Sequence, residues 1–172
     1  MWNETIAHGF ELTQFTMVTN MDGIDHEQSL VRPAALKETK SAGGGNCLNW
    51  NGGHILATRA FFGAQIGIEP FLTKDEVALY DRGSSAIGPG SECVSLGRLA
   101  EGLEKTSSEM IATIRSLSST DLEKMLDPED FPMPVEKPSL GSLLTICLFH
   151  ESYHAGQIGI CRRLVTAEGG IK

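Results

Sequence analysis

The sequence lacks the features that mark membrane proteins and nucleic-acid-binding proteins. No apolar stretch approaches the roughly 20 residues that a membrane-spanning helix requires, and no cluster of Lys or Arg exceeds two residues. With 22 Asp and Glu against 14 Lys and Arg, the formal charge is −8, which gives phosphate backbones and anionic lipids little to bind. The first ten residues also lack the basic start and apolar run of a signal peptide. We expect a cytoplasmic protein with no nucleic-acid or membrane partner.

The sequence also lacks a C-x-x-C pair, which excludes a zinc knuckle and a thioredoxin-like redox pair. Its four cysteines are Cys47, Cys93, Cys147 and Cys161. If Cys147 and Cys161 share one helix, they lie about 21 Å apart, far beyond the reach of a disulfide. We therefore expect free thiols in a reducing compartment.

Helical periodicity occurs in four segments, and no period-2 strand pattern or internal repeat is present. In the second segment, apolar residues and one histidine recur at steps of three and four, as in the buried seam of a helix bundle. The breaks between the segments are rich in Gly, Pro and Ser. The predicted helices cover Trp2–Met21, Asn46–Ile68, Ser95–Leu117 and Ser139–Val165.

Two shorter helices are predicted in the connections. Lys74–Asp81 can form a short helix, and Thr120–Glu123 has the form of a capping box. A chain of 172 residues can bury a core without disulfides and is usually one domain. The sequence predicts a single all-α domain over residues 1–172, an antiparallel four-helix bundle with long connections.

The fourth segment carries two histidines on its apolar face. At about 100° per residue, with His150 at zero, His154 lies near 40° and apolar Leu143, Cys147 and Ile158 lie between about 20° and 80°. Burying two imidazoles in an apolar seam costs free energy unless their nitrogens are hydrogen-bonded or ligated. A bound metal ion satisfies both rings at once.

A third imidazole is available from the second helix, where His54 occupies a seam position. Three neutral imidazoles with open positions for water form a catalytic type of metal site, which suits zinc or nickel and not magnesium or calcium. We predict that His54, His150 and His154 bind one such ion. His8 and His26 have no partner at a helical spacing and are interpreted as ordinary polar residues.

The fourth helix also spells H-E-x-x-H, the metallopeptidase signature in which the glutamate is the general base. The longer metzincin signature needs Gly and His where Gln157 and Ile160 stand, so a peptidase is the less favoured interpretation. Glu151 flanks His154 on the helical wheel. It is either a base or hydrogen-bond acceptor at the metal site, or a salt-bridging side chain.

Cys47 and Cys161 fall near the histidine faces of their helices. A thiolate ligand or nucleophile is one interpretation. The favoured interpretation is a pair of small buried apolar residues.

The segment Asn49–Arg59, with its W-x-x-x-H pattern, and the segment His150–Ile158, with H-x-x-x-H-x-G-Q, resemble the DinB-like (damage-inducible protein B) superfamily. The likeness covers nearly the whole chain, and the second motif is the specific one. The resemblance implies a four-helix bundle that binds one divalent metal through His54, His150 and His154. It also implies a homodimer.

Function follows from the same resemblance. Characterised members include thiol-dependent transferases and isomerases that use bacillithiol, mycothiol or glutathione, while many members have no assigned activity. An open metal position can bind a thiol and lower its pKa. We expect a metal-dependent thiol S-transferase for small molecules, with Glu151 as a candidate catalytic residue and Gln157 as a residue that supports the site. The alternative is a metal-stabilised dimeric binding or stress-response module without turnover.

Overall fold

The computed structural model describes residues 2–34, 45–166 and 170–171. The regular elements in these ranges are all helices, and the described residues form no strand, only an isolated bridge between Met125 and Ser139. The predicted all-α class is confirmed. The helices are α1 (Trp2–Met21), α2 (His26–Ser29), α3 (Leu48–Ala64), α4 (Lys74–Tyr80), α5 (Leu96–Ser116), α6 (Ser119–Glu123) and α7 (Leu140–Val165), with a 3₁₀ turn at Pro128–Asp130.

Capping side chains set the starts of three of the four long helices, α3, α5 and α7. Cys47, Ser95 and Ser139 each accept a backbone N–H from the first turn of α3, α5 and α7 respectively, so these helices begin one or two residues after the predicted starts. Helix α3 ends at Ala64, earlier than the predicted Ile68. Just beyond it, Gly67 adopts a φ of 75°, a backbone conformation that favours glycine and ends a helix.

The capping box of helix α6 lies two residues before the predicted one. Its N-cap is Ser118, which exchanges hydrogen bonds with Asp121, whereas the sequence favoured Thr120 with Glu123. Both patterns place a hydroxyl three residues before a carboxylate, and the sequence alone did not separate them. The short helix α4 ends at Tyr80, and its Thr73–Glu76 capping box was not predicted.

Each of the four long helices packs against two of the others: α1 and α3 both contact α5 and α7. Gln14 meets Ser107, while Asn3 meets Arg115, so α1 and α5 run in opposite directions. Helices α3 and α7 are also antiparallel, because Asn51 meets His154 and His54 meets His150. The predicted antiparallel arrangement holds for these two contacts.

The other two contacts join helices that run in the same direction. Trp2 lies over Gly141 and Asn20 lies over Gly159, which makes α1 and α7 parallel. Helices α3 and α5 are parallel as well, since Asn49 bonds the chain just before α5 and Arg59 bonds Thr106 further along it. Two parallel helices that follow one another in the chain need a long connection. For α3 and α5 it is the chain between Ala64 and Leu96, which includes α4.

None of the described helices is long and apolar enough to span a membrane. The four cysteines are free thiols, as predicted.

Candidate metal centre

Three histidines converge at the contact between α3 and α7. His54 comes from α3, and His150 and His154 come from successive turns of α7. Each offers a ring nitrogen, and these three atoms lie within 4.8 Å of one another. The Nε2 atoms of His54 and His150 are 3.2 Å apart. The structure thus brings together the three residues that the sequence singled out as ligands.

His54 is held in place by the backbone of α4 and by a stacked indole. Its Nδ1–H donates to the Tyr80 carbonyl oxygen at 2.7 Å, and the Trp50 ring stacks on it at 4.6 Å. Because a carbonyl can only accept, Nδ1 carries the proton and Nε2 keeps its lone pair. Tyr80 is itself fixed, since its hydroxyl donates to Asn49 Oδ1 at 3.0 Å and accepts the Val94 N–H at 2.8 Å.

His154 is oriented in the same way by an amide. The Asn51 Nδ2 group donates to the Cys47 and Asn46 carbonyls, which leaves Asn51 Oδ1 as an acceptor. His154 Nδ1–H donates to that oxygen at 2.8 Å. Because Nδ1 of His154 carries the proton, the lone pair of this ring is on Nε2, as in His54.

His150 differs from the other two rings. Its Nδ1 is buried and has no hydrogen-bond partner among the described residues, while its Nε2 faces that of His54. A buried imidazole nitrogen without a partner is unfavourable in a stable core. No hydrogen bond at Nδ1 therefore orients this ring, and its Nε2 lies toward the Nε2 of His54.

All three imidazoles are held in the neutral, ligand-competent form. Burial lowers the pKa of His54, and a smaller effect of Asp81 opposes it. Burial and the neighbouring His54 lower the pKa of His150. Burial, together with both other histidines, lowers the pKa of His154 to about 3. At neutral pH no proton competes for the facing nitrogens.

These donors fit a divalent transition metal. A tetrahedral ion about 2.0–2.1 Å from two imidazole nitrogens holds them about 3.3 Å apart, and the Nε2 separation of His54 and His150 is 3.2 Å. Three neutral nitrogens and no carboxylate suit zinc, nickel or copper better than magnesium or calcium. The histidine cluster could hold one metal ion and leave a position open.

The histidines open onto a cavity of about 620 Å³ between α3, α4, α7 and the chain just after the 3₁₀ turn, at Pro132 and Met133. Its wall is mainly apolar, and the exposed rings of Phe61, Phe149 and Tyr153 stand around the opening. Asp81 and Arg82 contribute the charged part of the wall. A small molecule could reach the open side of the histidine cluster through this cavity.

The family model described as the DinB superfamily matches residues 10–158, which include α3, α5 and all three histidines. The chain belongs to the DinB superfamily. No curated protein matches the chain.

In this DinB protein, Glu151 is turned away from a catalytic position. Its two carboxylate oxygens accept from Nε and Nη2 of Arg59 at 2.8 and 2.7 Å, and the side chain is fully buried. Of the alternatives open for Glu151, the structure places it in the salt bridge. A carboxylate with both oxygens on a guanidinium is poorly placed to serve as a general base, so the geometry gives the catalytic prediction no support.

Gln157 lies one turn beyond His154 on α7, and its side chain raises the pKa of His154 slightly against the larger effect of burial. The supporting role of Gln157 and its role toward a cofactor both stay predictions.

Sequence reasoning missed the two groups that orient the DinB histidines. Asn51 precedes His54 by three residues on the same helix, and a buried amide beside a candidate ligand is a signal that could have found it. Tyr80 acts through its carbonyl oxygen, and a main-chain contact leaves no signature in the residue type.

The two cysteines near the site are structural. Cys47 caps α3 by accepting the Trp50 N–H, and Cys161 donates to the Asn46 carbonyl. Burial raises the pKa of the Cys47 thiol, and it raises that of Cys161 to about 11. Both stay protonated at neutral pH, which agrees with the favoured interpretation of buried apolar residues.

Proposed function

We propose that this DinB protein is a metal-dependent thiol S-transferase that acts on small molecules. His54, His150 and His154 hold a zinc or nickel ion in this proposal. The observation that carries it is the set of three neutral imidazoles, two of them with Nε2 freed by hydrogen bonds at Nδ1, at the base of an open apolar cavity. A closed structural site would have no such opening.

A metal ion at this position supplies a coordination site that binds a small thiol and lowers its pKa. The protein residues orient the reaction. Asn51 and Tyr80 hold two of the imidazoles, and Trp50 prevents the His54 ring from tilting. Low pKa values keep the three rings from taking up the thiol proton, which passes to solvent through the cavity opening.

The apolar wall of the cavity favours an electrophile with an apolar body. Phe61, Phe149 and Tyr153 offer ring faces beside the histidines, and burial of apolar area there contributes about 25 cal/mol per Å² to binding. In the transfer step the thiolate sulfur bonds the electrophilic carbon, and the leaving group departs with the electron pair of its broken bond. The charge of −8 is compatible with a small-molecule substrate.

The experiment begins with elemental analysis of the purified protein. We expect about one zinc or nickel per chain. The loaded protein is then incubated with bacillithiol, mycothiol, glutathione or a simple thiol and a chlorodinitrobenzene, and thioether formation is followed by absorbance. Conjugation above the rate of the metal-free protein supports the proposal.

The matched controls are His150→Ala and His8→Ala, which remove one half-buried histidine of the cluster and one exposed histidine outside it. We expect the first to lose metal and activity and the second to keep both. Full metal occupancy without conjugation for any thiol would contradict the transferase and favour the binding module. Loss of the fold in His150→Ala would favour the same alternative.

The H-E-x-x-H motif does not favour a peptidase here, because Arg59 holds the carboxylate of Glu151 that a peptidase would need as base. Casein digestion by the zinc-loaded protein tests this directly. We expect no cleavage.

We also propose that the protein is a homodimer through the outer face of α7. Phe149, Tyr153, Ile160 and Leu164 are each 46–69% exposed there, and Gly156, in the same row, has open space above it. Rows of exposed apolar side chains mark association surfaces. Sedimentation equilibrium should give a dimer for the wild type and a monomer for Ile160→Asp, with His8→Ala as a control that stays dimeric. A monomeric wild type would contradict this proposal.

A further inference from the structure

One buried guanidinium joins three of the four long helices. The Arg59 side chain on α3 is 1% exposed, and each of its N–H groups has a partner. Besides Glu151 on α7, they are the Leu103 carbonyl, Thr106 Oγ1 and Ser107 Oγ on α5, at 2.8, 2.8 and 2.9 Å. An arginine has five donors in a rigid plane, so these partners fix its position from three sides.

The two hydroxyls around Arg59 extend the network, because each accepts one hydrogen bond and donates another. Thr106 accepts from the guanidinium and donates to the Gly102 carbonyl at 2.7 Å. Ser107 also accepts from it and donates to Gln14 Oε1 on α1 at 2.7 Å. The network therefore reaches all four long helices, and its hydrogen bonds can all form at once.

Arg59 and Glu151 are close in sequence to the three histidines. Arg59 follows His54 by five residues on α3, and Glu151 stands between His150 and His154 on α7. A bidentate arginine–carboxylate pair fixes both the separation and the relative orientation of the groups that carry it. Because a helix turns about 100° per residue, holding Glu151 against Arg59 also sets the direction of its two histidine neighbours.

We propose that Arg59 and Glu151 are positioning residues of the histidine site, which set the height and rotation of α7 against α3 so that the Nε2 atoms meet. This inference rests on the proposed metal site and gives Glu151 a role other than that of a base. Replacing both members of a buried ion pair by apolar residues is often neutral for stability. A pair that acts by positioning would then show its effect on the site rather than on folding.

The test compares Co²⁺ binding by the wild type with that of Arg59→Met/Glu151→Leu. The visible absorption of Co²⁺ reports the geometry of its ligands, and chelator competition gives the Kd. We expect the double variant to keep its helical circular dichroism, to bind Co²⁺ about tenfold or more weakly, in the range of effects seen when residues supporting a metal site are removed, and to show shifted absorption bands.

A second Arg–Glu pair provides the matched control. Arg115 on α5 pairs with Glu11 on α1 at 2.8 Å, so it also joins two long helices, but on the surface and away from the α3–α7 contact. The double variant Arg115→Met/Glu11→Leu should keep the Co²⁺ affinity and spectrum of the wild type. Equal loss of affinity in both double variants would overturn the proposal, since any weakened helix contact would then have the same effect.

If the buried double variant does not fold, Glu151→Asp keeps the charge and shortens the side chain by one methylene. We expect a folded protein with a shifted Co²⁺ spectrum. A folded variant of either kind with unchanged Kd and spectrum overturns the positioning role and leaves the metal site standing. A wild type that binds no Co²⁺ overturns both.

Discussion

Gly53→Ala tests how the α3–α4 contact supports the candidate site. A Cβ placed on Gly53 would lie closer to three ring carbons of Tyr80 than real Cβ atoms come. The Tyr80 ring is fully buried, and two hydrogen bonds hold its hydroxyl, so it cannot move aside cheaply. The next residue after Gly53 is His54, whose Nδ1–H donates to the Tyr80 carbonyl.

Two opposing effects decide the magnitude. Alanine favours the helix over glycine by about 0.5–1 kcal/mol, whereas overpacking a tight core costs about 1–3 kcal/mol. The clash involves a rigid ring, so we expect the overpacking cost to win. The net loss should be roughly 0.5–2 kcal/mol of unfolding free energy, with a weaker metal affinity because the Tyr80 carbonyl shifts from His54.

The assay is urea unfolding of the metal-free protein, followed by chelator competition for Co²⁺. Gly52 serves as the control. A Cβ at Gly52 meets only Leu103 at 3.8 Å, so alanine there should raise the unfolding free energy by about 0.5–1 kcal/mol. If Gly53→Ala were as stable as Gly52→Ala and bound Co²⁺ equally well, the reasoning about Tyr80 would be refuted.

Three further predictions concern the histidines directly. Burial lowers the pKa of His154 to about 3 in the folded protein, whereas the pKa of a histidine in an unfolded chain is about 6.5. Between these two pH values the unfolded chain therefore binds more protons than the folded protein. The contribution of His154 to the unfolding free energy of the metal-free protein should therefore fall by about 1.6 kcal/mol between pH 6.5 and 5, and His154→Asn should flatten this dependence in urea titrations. Asn51→Leu should weaken metal affinity about 10- to 100-fold by chelator competition, and an unchanged Kd would contradict the role given to its amide. Metal binding should change tryptophan fluorescence through Trp50, which stacks on His54, so Trp50→Phe should abolish the response and Trp2→Phe should leave it.

The helices could be predicted because their signals are local. Apolar spacing placed α1, α5 and α7 within one residue of their observed ends. The remaining differences arise from capping side chains such as Ser118 and from Gly67, which follows the early end of α3. The relative directions of neighbouring helices were harder to predict from the sequence. Whether α1 runs parallel to α7 depends on which connections cross the bundle, and periodicity within a helix carries no information about that.

The three histidines could be predicted because each lies on the apolar face of its helix, where an imidazole without a hydrogen bond or metal is costly to bury. The partner of Glu151 could not be predicted from the sequence. Arg59 is 92 residues away and lies on another helix, and the sequence left a base and a salt bridge as equal alternatives for the carboxylate. Only the packing of α3, α5 and α7 around one point separates them.

The helical wheel of α7 nevertheless orders its neighbours. With His150 at zero and about 100° per residue, the histidines lie at about 0–40°, Glu151 at about 100°, and the glycines that approach α1 at about 180°. The exposed row from Phe149 to Leu164 falls at about 240–320°, next to the histidines on the open side. Phe149 and Tyr153 belong both to this row and to the cavity wall. A second subunit bound to the row would therefore stand at the edge of the cavity, so oligomeric state and access to the histidines should change together in Ile160→Asp.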